Sequence, residues 1–232
     1  MNKNNGYIVN RYRLVDQVYD VIKGQIFSGE IHSGEEISVD DLARKLGTSK
    51  TPVRETLNKL IGEGLMVNTD KNKIKIIELT LEEISNICDL RQVLEVLALK
   101  EGFLKISREK LSENLKILEK GKKDLEKGNS KIFRKADDTL HEIIINSADN
   151  KWLVQIIRQL RNLIDIVRLS YPSLNRFKAS VDEHINIVEA IIGEDKEKSI
   201  KNLNLHLENI KDRAILAFNV YNNKNTAVNN KA

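Results

Sequence analysis

The chain of 232 residues is short of the residues that staple, break or anchor a fold. It has one cysteine, Cys88, so no internal disulfide framework can form, and a lone thiol fits a reducing cytoplasm. Cys88 falls on the apolar face of a helical pattern and is expected in a core rather than as a reactive thiol. There are two prolines, Pro52 and Pro172, and neither breaks a helical pattern in its middle. No apolar run approaches the roughly 20 residues a bilayer crossing requires. The opening residues, MNKNNGYIVN, lack the apolar segment of a secretory signal. A Ser/His/Asp constellation, a glycine-rich phosphate loop and a cysteine pair are all missing, which leaves little warrant for an enzyme.

Charged residues make up 31 % of the chain and hydrophobic ones 41 %, a balance that suits a globular protein with real cores. The length suits one large or two modest domains. The net charge of +4 says little alone, but its distribution does. Between Arg44 and Lys59 stand Arg44, Lys45, Lys50, Arg54 and Lys59 against one acid, Glu55, so this short stretch carries the whole excess.

Local patterns give that stretch a frame. Leu14, Val18, Val21, Ile22 and Ile26 recur at helical steps, and Gly29 closes the helix. Ser38 and Asp41 form a capping pair ahead of a second helix that ends at Gly47. Ser49 is expected to cap a third, with Pro52 in its first turn, where a missing N–H is harmless because those donors have no intrahelical partner. Val53, Leu57 and Leu60 form its inner stripe, leaving Lys50, Arg54 and Lys59 outside. After Gly64 the period falls to two, giving a hairpin with Ile74 and Ile76 inward and Lys73 and Lys75 outward. Three helices and a hairpin, the third helix basic, make a winged helix-turn-helix. The first residues of such a helix reach base edges and phosphates in a major groove, which selects Lys50, Thr51 and Arg54, with Arg44 placed for a phosphate or a neighbouring base.

The run LARKLGTSKTPVRETLNKLIGEGLM resembles the DNA-reading segment of the GntR superfamily of bacterial transcription regulators, over roughly residues 11 to 80. The resemblance implies that Arg44, Lys50 and Arg54 contact double-stranded operator DNA, with Thr51 near the backbone. Two positions depart from the family: Asn72-Lys73 stands where a wing-tip glycine is common, and Ser33 where a proline is common.

From residue 80 the pattern is continuously helical. Thr80 and Glu83 form a capping box. Segments at 81–105, 108–127, 130–147, 150–170, 173–192 and 195–220 are divided by Ser107, Gly128-Asn129-Ser130, Asp149-Asn150, Pro172 and Gly193, and should pack as an antiparallel bundle. The expected class is therefore mainly α: a winged helix-turn-helix over 1–79, a helical bundle over 80–220, and a frayed polar tail at 221–232.

Three of the four histidines lie in the bundle. Asp137 and His141, four apart, share a helix face. His184 and His206 flank the turn near Glu194 by about 10 and 12 residues, which levels them to within roughly 3 Å on adjacent antiparallel helices. Spacing alone leaves two readings open: a metal site, or separate core and surface histidines with a local Asp/His hydrogen bond. The segments FRKADDTLHEIIINSADNKWL, DEHINIVEAII and LNLHLENI resemble the metal-binding positions of the FadR-type ligand domain, FCD, and LRQVLEVLA resembles its first helix. Six helices point to the shorter VanR-like branch. This resemblance implies Asp137, His141, His184 and His206 as ligands, with Asp138 the alternative carboxylate. The mixed nitrogen and oxygen set suits Zn²⁺, Ni²⁺ or Mn²⁺. It also implies a small carboxylate effector, with Arg91 pairing a second acidic group, and a homodimer on a pseudo-palindromic operator. Two other classes compete: a metal-dependent hydrolase fused to a DNA-binding head, and an acyl-CoA sensor, which the histidines disfavour.

Overall fold

The structure is a computed structural model and describes residues 11–69, 73–170 and 174–229. The chain divides into two compact units, Met1–Glu78 and Leu79–Ala232. No helix among the described residues is long and apolar enough to cross a membrane.

The first unit runs α1 (Arg11–Ser28), β1 (Glu36–Ile37), α2 (Val39–Lys45), α3 (Lys50–Gly62), β2 (Met66–Asn68) and β3 (Ile74–Ile76). The strands form an antiparallel sheet in the order β1-β3-β2, with Ile37 opposite Ile74 and Met66 opposite Ile76. The hairpin is thus extended by a third, two-residue strand too short for a period-two pattern to reveal. Val18, Ile22 and Ile26 of α1 meet Val53, Leu57 and Leu60 of α3 in the core. Leu14 and Val21 are half-exposed, so the inner stripe of α1 is narrower than its apolar pattern. Ser38 caps α2 by accepting from the Asp41 N–H, as its spacing requires. Gly47 takes a left-handed φ of 63° between α2 and α3, a conformation that lets the two helices turn sharply. Ser49 stands at the cap position of α3 with extended backbone, but its hydroxyl makes no capping bond. Pro52 lies in the first turn and is buried; the Thr56 hydroxyl donates to the Val15 carbonyl at 3.2 Å, tying α3 to α1. Asn72, the departure expected at the wing tip, falls outside the described residues.

The second unit holds α4 (Leu81–Gly102), a 3₁₀ turn (Phe103–Lys105), α5 (Arg108–Glu126), α6 (Lys131–Asn146), α7 (Lys151–Ser170), α8 (Leu174–Ile192) and α9 (Lys196–Asn229). These are the six expected segments, although Pro172, expected between α7 and α8, falls outside the described residues. Thr80 and Glu83 make both halves of the capping box at α4, and Ser107 caps α5. One boundary differs: α9 does not end near 220 but continues to Asn229. Its residues include no glycine or proline, and polarity alone does not stop a helix. Cys88 is buried, as expected.

One core, including Ile84, Leu99, Leu111, Leu118, Phe133, Leu140, Val188 and Leu203, joins the helices. At one crossing the helices come unusually near: a Cβ on Gly121 of α5 would lie 2.9 Å from the Cα of Phe133 on α6. The Phe133 ring in turn meets the His184 ring edge-on, with centroids 5.4 Å apart.

Candidate metal centre and nucleic-acid interface

Inside the second unit, α6 contributes Asp137 and His141, α8 contributes His184 and α9 contributes His206. All four are buried, and one ligand atom from each lies within 4.8 Å of all the others. The four residues chosen from the sequence are therefore brought together. Asp138, the alternative carboxylate, is not: it faces Arg161 at 3.1 Å with its side chain mostly exposed. Adjacent helical residues point about 100° apart, so the two aspartates cannot share one direction.

Each imidazole is aimed by a bond at its far nitrogen. Nδ1 of His141 lies 2.6 Å from Glu95 Oε2, that of His184 2.6 Å from the Ser180 carbonyl oxygen, and that of His206 2.7 Å from Glu183 Oε2. These partners only accept, so each Nδ1 carries the proton and each Nε2 keeps its lone pair for the centre. There the His184 Nε2 is 2.7 Å and the His141 Nε2 3.3 Å from Asp137 Oδ1. The His206 Nε2 is buried without a hydrogen-bond partner among the described residues. Burial, and then the adjacent His184, hold the His206 imidazolium well below its usual range, so the ring is a neutral donor. Three inward lone pairs, one of them orphaned, beside a carboxylate fit a divalent cation.

A ring of ion pairs surrounds the donors. Arg91 of α4 donates to Glu95 at 2.6 Å, both fully buried, and its Nη2 lies 3.4 Å from the His141 Nε2. Arg213 holds Glu183 through two 2.8 Å bonds. Burial pushes against the Glu183 carboxylate, but Arg213 and His206 outweigh it and hold it down to about 2. Arg168 reaches Asp137 at 3.2 Å, and burial of that aspartate is likewise overcome, by Arg168 and His184. Arg91 thus points inward, as expected, but it is already engaged. Sequence reasoning missed Glu95, Glu183, Arg168 and Arg213. Two signals could have found some of them: Arg91 and Glu95 stand four apart on one helix, and Arg213 is seven residues, two turns, beyond His206.

A cavity of about 20 Å³ adjoins the donors, lined by Asp137, His184, Arg168, Phe177 and Ile210 among others. It has room for about one water.

In the first unit Arg44, Lys50, Thr51 and Arg54 are all exposed, and Val53, Leu57 and Leu60 fix the opposite face of α3 in the core. Acids already touch two of the cations: Lys50 is 2.7 Å from Asp40, and Arg44 is 3.2 Å from Asp41. Asp40 is held below its usual range chiefly by the hydrogen bond from Lys50, with the charges of Arg54 and Arg44 also contributing. Lys59 is diverted, its ammonium lying 3.8 Å over the Tyr19 ring. Lys73 and Lys75 of the hairpin pair with Glu36 and Glu78, so the wing is less cationic than its lysines suggest.

Comparison with known proteins bears on both units. The FCD domain model matches residues 86–209, more than half of the chain, and the model of the bacterial regulatory proteins, gntR family, matches residues 14–75. The chain is 29 % identical over 193 residues to the HTH-type transcriptional regulator YdhC of Bacillus subtilis (strain 168), spanning 82 % of this chain and 86 % of that one. It is 28 % identical over 200 residues to the gluconate operon transcriptional repressor of the same organism, 83 % and 81 % being covered. Its fold is that of E. coli McbR/YncC, with a TM-score of 0.75 at 22 % identity over 90 % of this chain and 98 % of the other.

Proposed function

Because the chain belongs to the GntR family of DNA-binding transcription regulators and carries an FCD domain, we propose that it is a repressor whose helical domain holds one divalent transition metal ion and senses a small organic acid. The observation that carries the metal reading is the orphaned, buried Nε2 of His206 beside two imidazoles and Asp137, each ring fixed by its own acceptor. Asp137, His141, His184 and His206 would hold the ion. Zn²⁺, Ni²⁺ or Mn²⁺ bound there would supply Lewis acidity toward an oxygen ligand such as a carboxylate.

The chain's own residues set what the effector must be. The cavity beside Asp137 is far smaller than a sugar acid, so effector binding has to widen it. Phe177 and Arg168 form part of its wall, and Arg168 is a cation placed to meet an incoming carboxylate as it leaves Asp137. Arg91 supports the site from the other side by holding Glu95, and through it the His141 ring; its reach toward the centre suits a second acidic group on the effector. A relative named for a gluconate operon is in keeping with a hydroxy-acid signal.

On DNA, the first turn of α3 would enter the major groove, with Lys50, Thr51 and Arg54 at base edges and phosphates and Arg44 on the backbone. Two copies would occupy two half-sites. The effector changes operator affinity only to the extent that it binds the DNA-competent and incompetent states unequally.

Elemental analysis of protein purified without a histidine tag tests the metal reading. About one transition metal per chain is expected, and a His141→Ala, His184→Ala double variant should lose it. Metal content that survives both substitutions ends the proposal. Retardation of DNA from upstream of its own gene, released by small carboxylates, tests the rest.

A further inference from the structure

A second concavity, of about 640 Å³, lies along the seam of α5 and α6 and contains none of the four metal donors. Asp137 and His141 leave one side of α6; Thr139 and Ile143, each two positions further on, line the groove from nearly the opposite side. The α5 wall is built from Lys110, Glu113, Asn114 and Ile117, which recur at steps of three and four and so share one helix face. Of these four Asn114 is the buried one, at 1 % exposure. Its Nδ2 donates to the Ala136 carbonyl oxygen at 3.0 Å, an acceptor that fixes which end of the amide is which. Its Oδ1 has no hydrogen-bond partner among the described residues. A buried acceptor left empty is uncommon in a native protein, and on a residue that borders a groove it calls for a donor from outside the chain. Charge around the groove is also incomplete. Lys105 pairs with Asp149, Asp138 with Arg161 and Glu142 with Arg158. Lys110 and Glu113 differ: both are exposed, and their side chains make no hydrogen bond or ion pair with a described residue.

We propose that this groove binds a free aliphatic amino acid. The ammonium donates to the Asn114 Oδ1 and faces Glu113, the carboxylate faces Lys110, and the hydrocarbon side chain lies on Ile117 and Ile143. A zwitterion is the class that answers all three polar groups together. A plain carboxylate leaves Glu113 and the empty acceptor unmet, and a plain amine leaves Lys110 unmet. The volume falls in the range of small-molecule sites, whereas the cavity beside Asp137 has about 20 Å³. The groove stands apart from the metal and organic-acid reading, so either can fail alone. The two sites nevertheless share α6. A ligand settled against Thr139 and Ile143 bears on the helix that carries Asp137 and His141, and it alters the centre to the extent that it favours one position of that helix.

Calorimetric titration of the full chain, as purified, with L-leucine tests this. About one leucine per chain is expected to bind, in the millimolar range or tighter. Lys110→Ala and Glu113→Gln should each weaken it at least about tenfold. Isocaproate, which lacks the ammonium, and leucinamide, which lacks the carboxylate, should bind the wild type at least about tenfold more weakly than leucine. Asn114→Leu should abolish binding while circular dichroism shows an intact bundle; if it unfolds, the two exposed variants carry the test. The absence of leucine binding at millimolar concentration overturns the proposal. So does leucine that binds both Lys110→Ala and Glu113→Gln as it binds wild type, which is how leucine held on the metal ion would behave. Leucinamide bound as tightly as leucine would point to the amino end of a peptide and overturn it as well. A metal content that contradicts the metal reading leaves this groove standing.

Discussion

The two units handle charge in opposite ways. In Met1–Glu78 the cations that matter lie at the surface, each side chain more than half exposed where paired, as in Lys50 with Asp40 and Arg44 with Asp41. In Leu79–Ala232 the charges that matter are interior: Arg91, Glu95, His141, Asp137 and His184 are buried and bonded in sequence, and His206 is buried with its Nδ1 on Glu183. Exposed pairs exchange partners at little cost because water screens them, so a phosphate can take the place of a carboxylate. Buried charges have no such freedom; each must be satisfied by a fixed partner or leave a large penalty. The first arrangement suits a surface that must engage and release a polyanion. The second suits a site that holds geometry.

The sharpest way to break this contrast is to remove one acid from each class. Glu95→Ala strands Arg91 and the His141 Nδ1 in the interior and should destabilise the protein by about 3–5 kcal/mol in urea unfolding. Asp41→Ala, which breaks the exposed pair with Arg44 in the first unit, should leave the unfolding midpoint almost unchanged. Equal effects would erase the distinction between the two units. Next in size, Arg54→Ala should weaken operator binding by about 1–3 kcal/mol if it reads a base, while leaving the unfolding midpoint unchanged. Binding that matches wild type across a salt series would show that α3 is not the reading helix. The smallest effect is expected at Asp40→Asn. Freed of its acid, Lys50 should bind a random duplex a few-fold more tightly, with a salt dependence steeper by about one counterion. A random duplex bound no better by this variant would show that Asp40 does not restrain Lys50.

The helical frame was legible because its signals are local. Capping pairs such as Thr80 with Glu83, the Pro52 turn and the period of three and four all act within a few residues. Helical rise levels His184 with His206 across one turn, but it was the resemblance to the FCD domain that singled out Asp137, His141, His184 and His206 as a set. What surrounds them was not legible. Glu95 meets His141 across 46 positions and Arg168 meets Asp137 across 31, and no local pattern reports which of many charged residues turns inward. Lys59 lies outside the inner stripe as its spacing requires, but its contact with the Tyr19 ring of another helix was not legible for the same reason. The end of α9 lies beyond the start of the polar run that marks it in the sequence, because polarity does not stop a helix where no chain breaker stands. Ser49 had the residue type and backbone of a cap but not the bond, and nothing in the structure explains its hydroxyl.

The missing side chain at Gly121 has a reach that its size conceals. A single hydrogen atom there is what lets the backbone of Phe133 settle against α5, and the ring of Phe133 leans on His184. A methyl group introduced at 121 would push on an imidazole two contacts away without touching any donor atom. Tuning of the centre's grip is thus open to mutations on an outlying helix, where a survey confined to its ligands would never look.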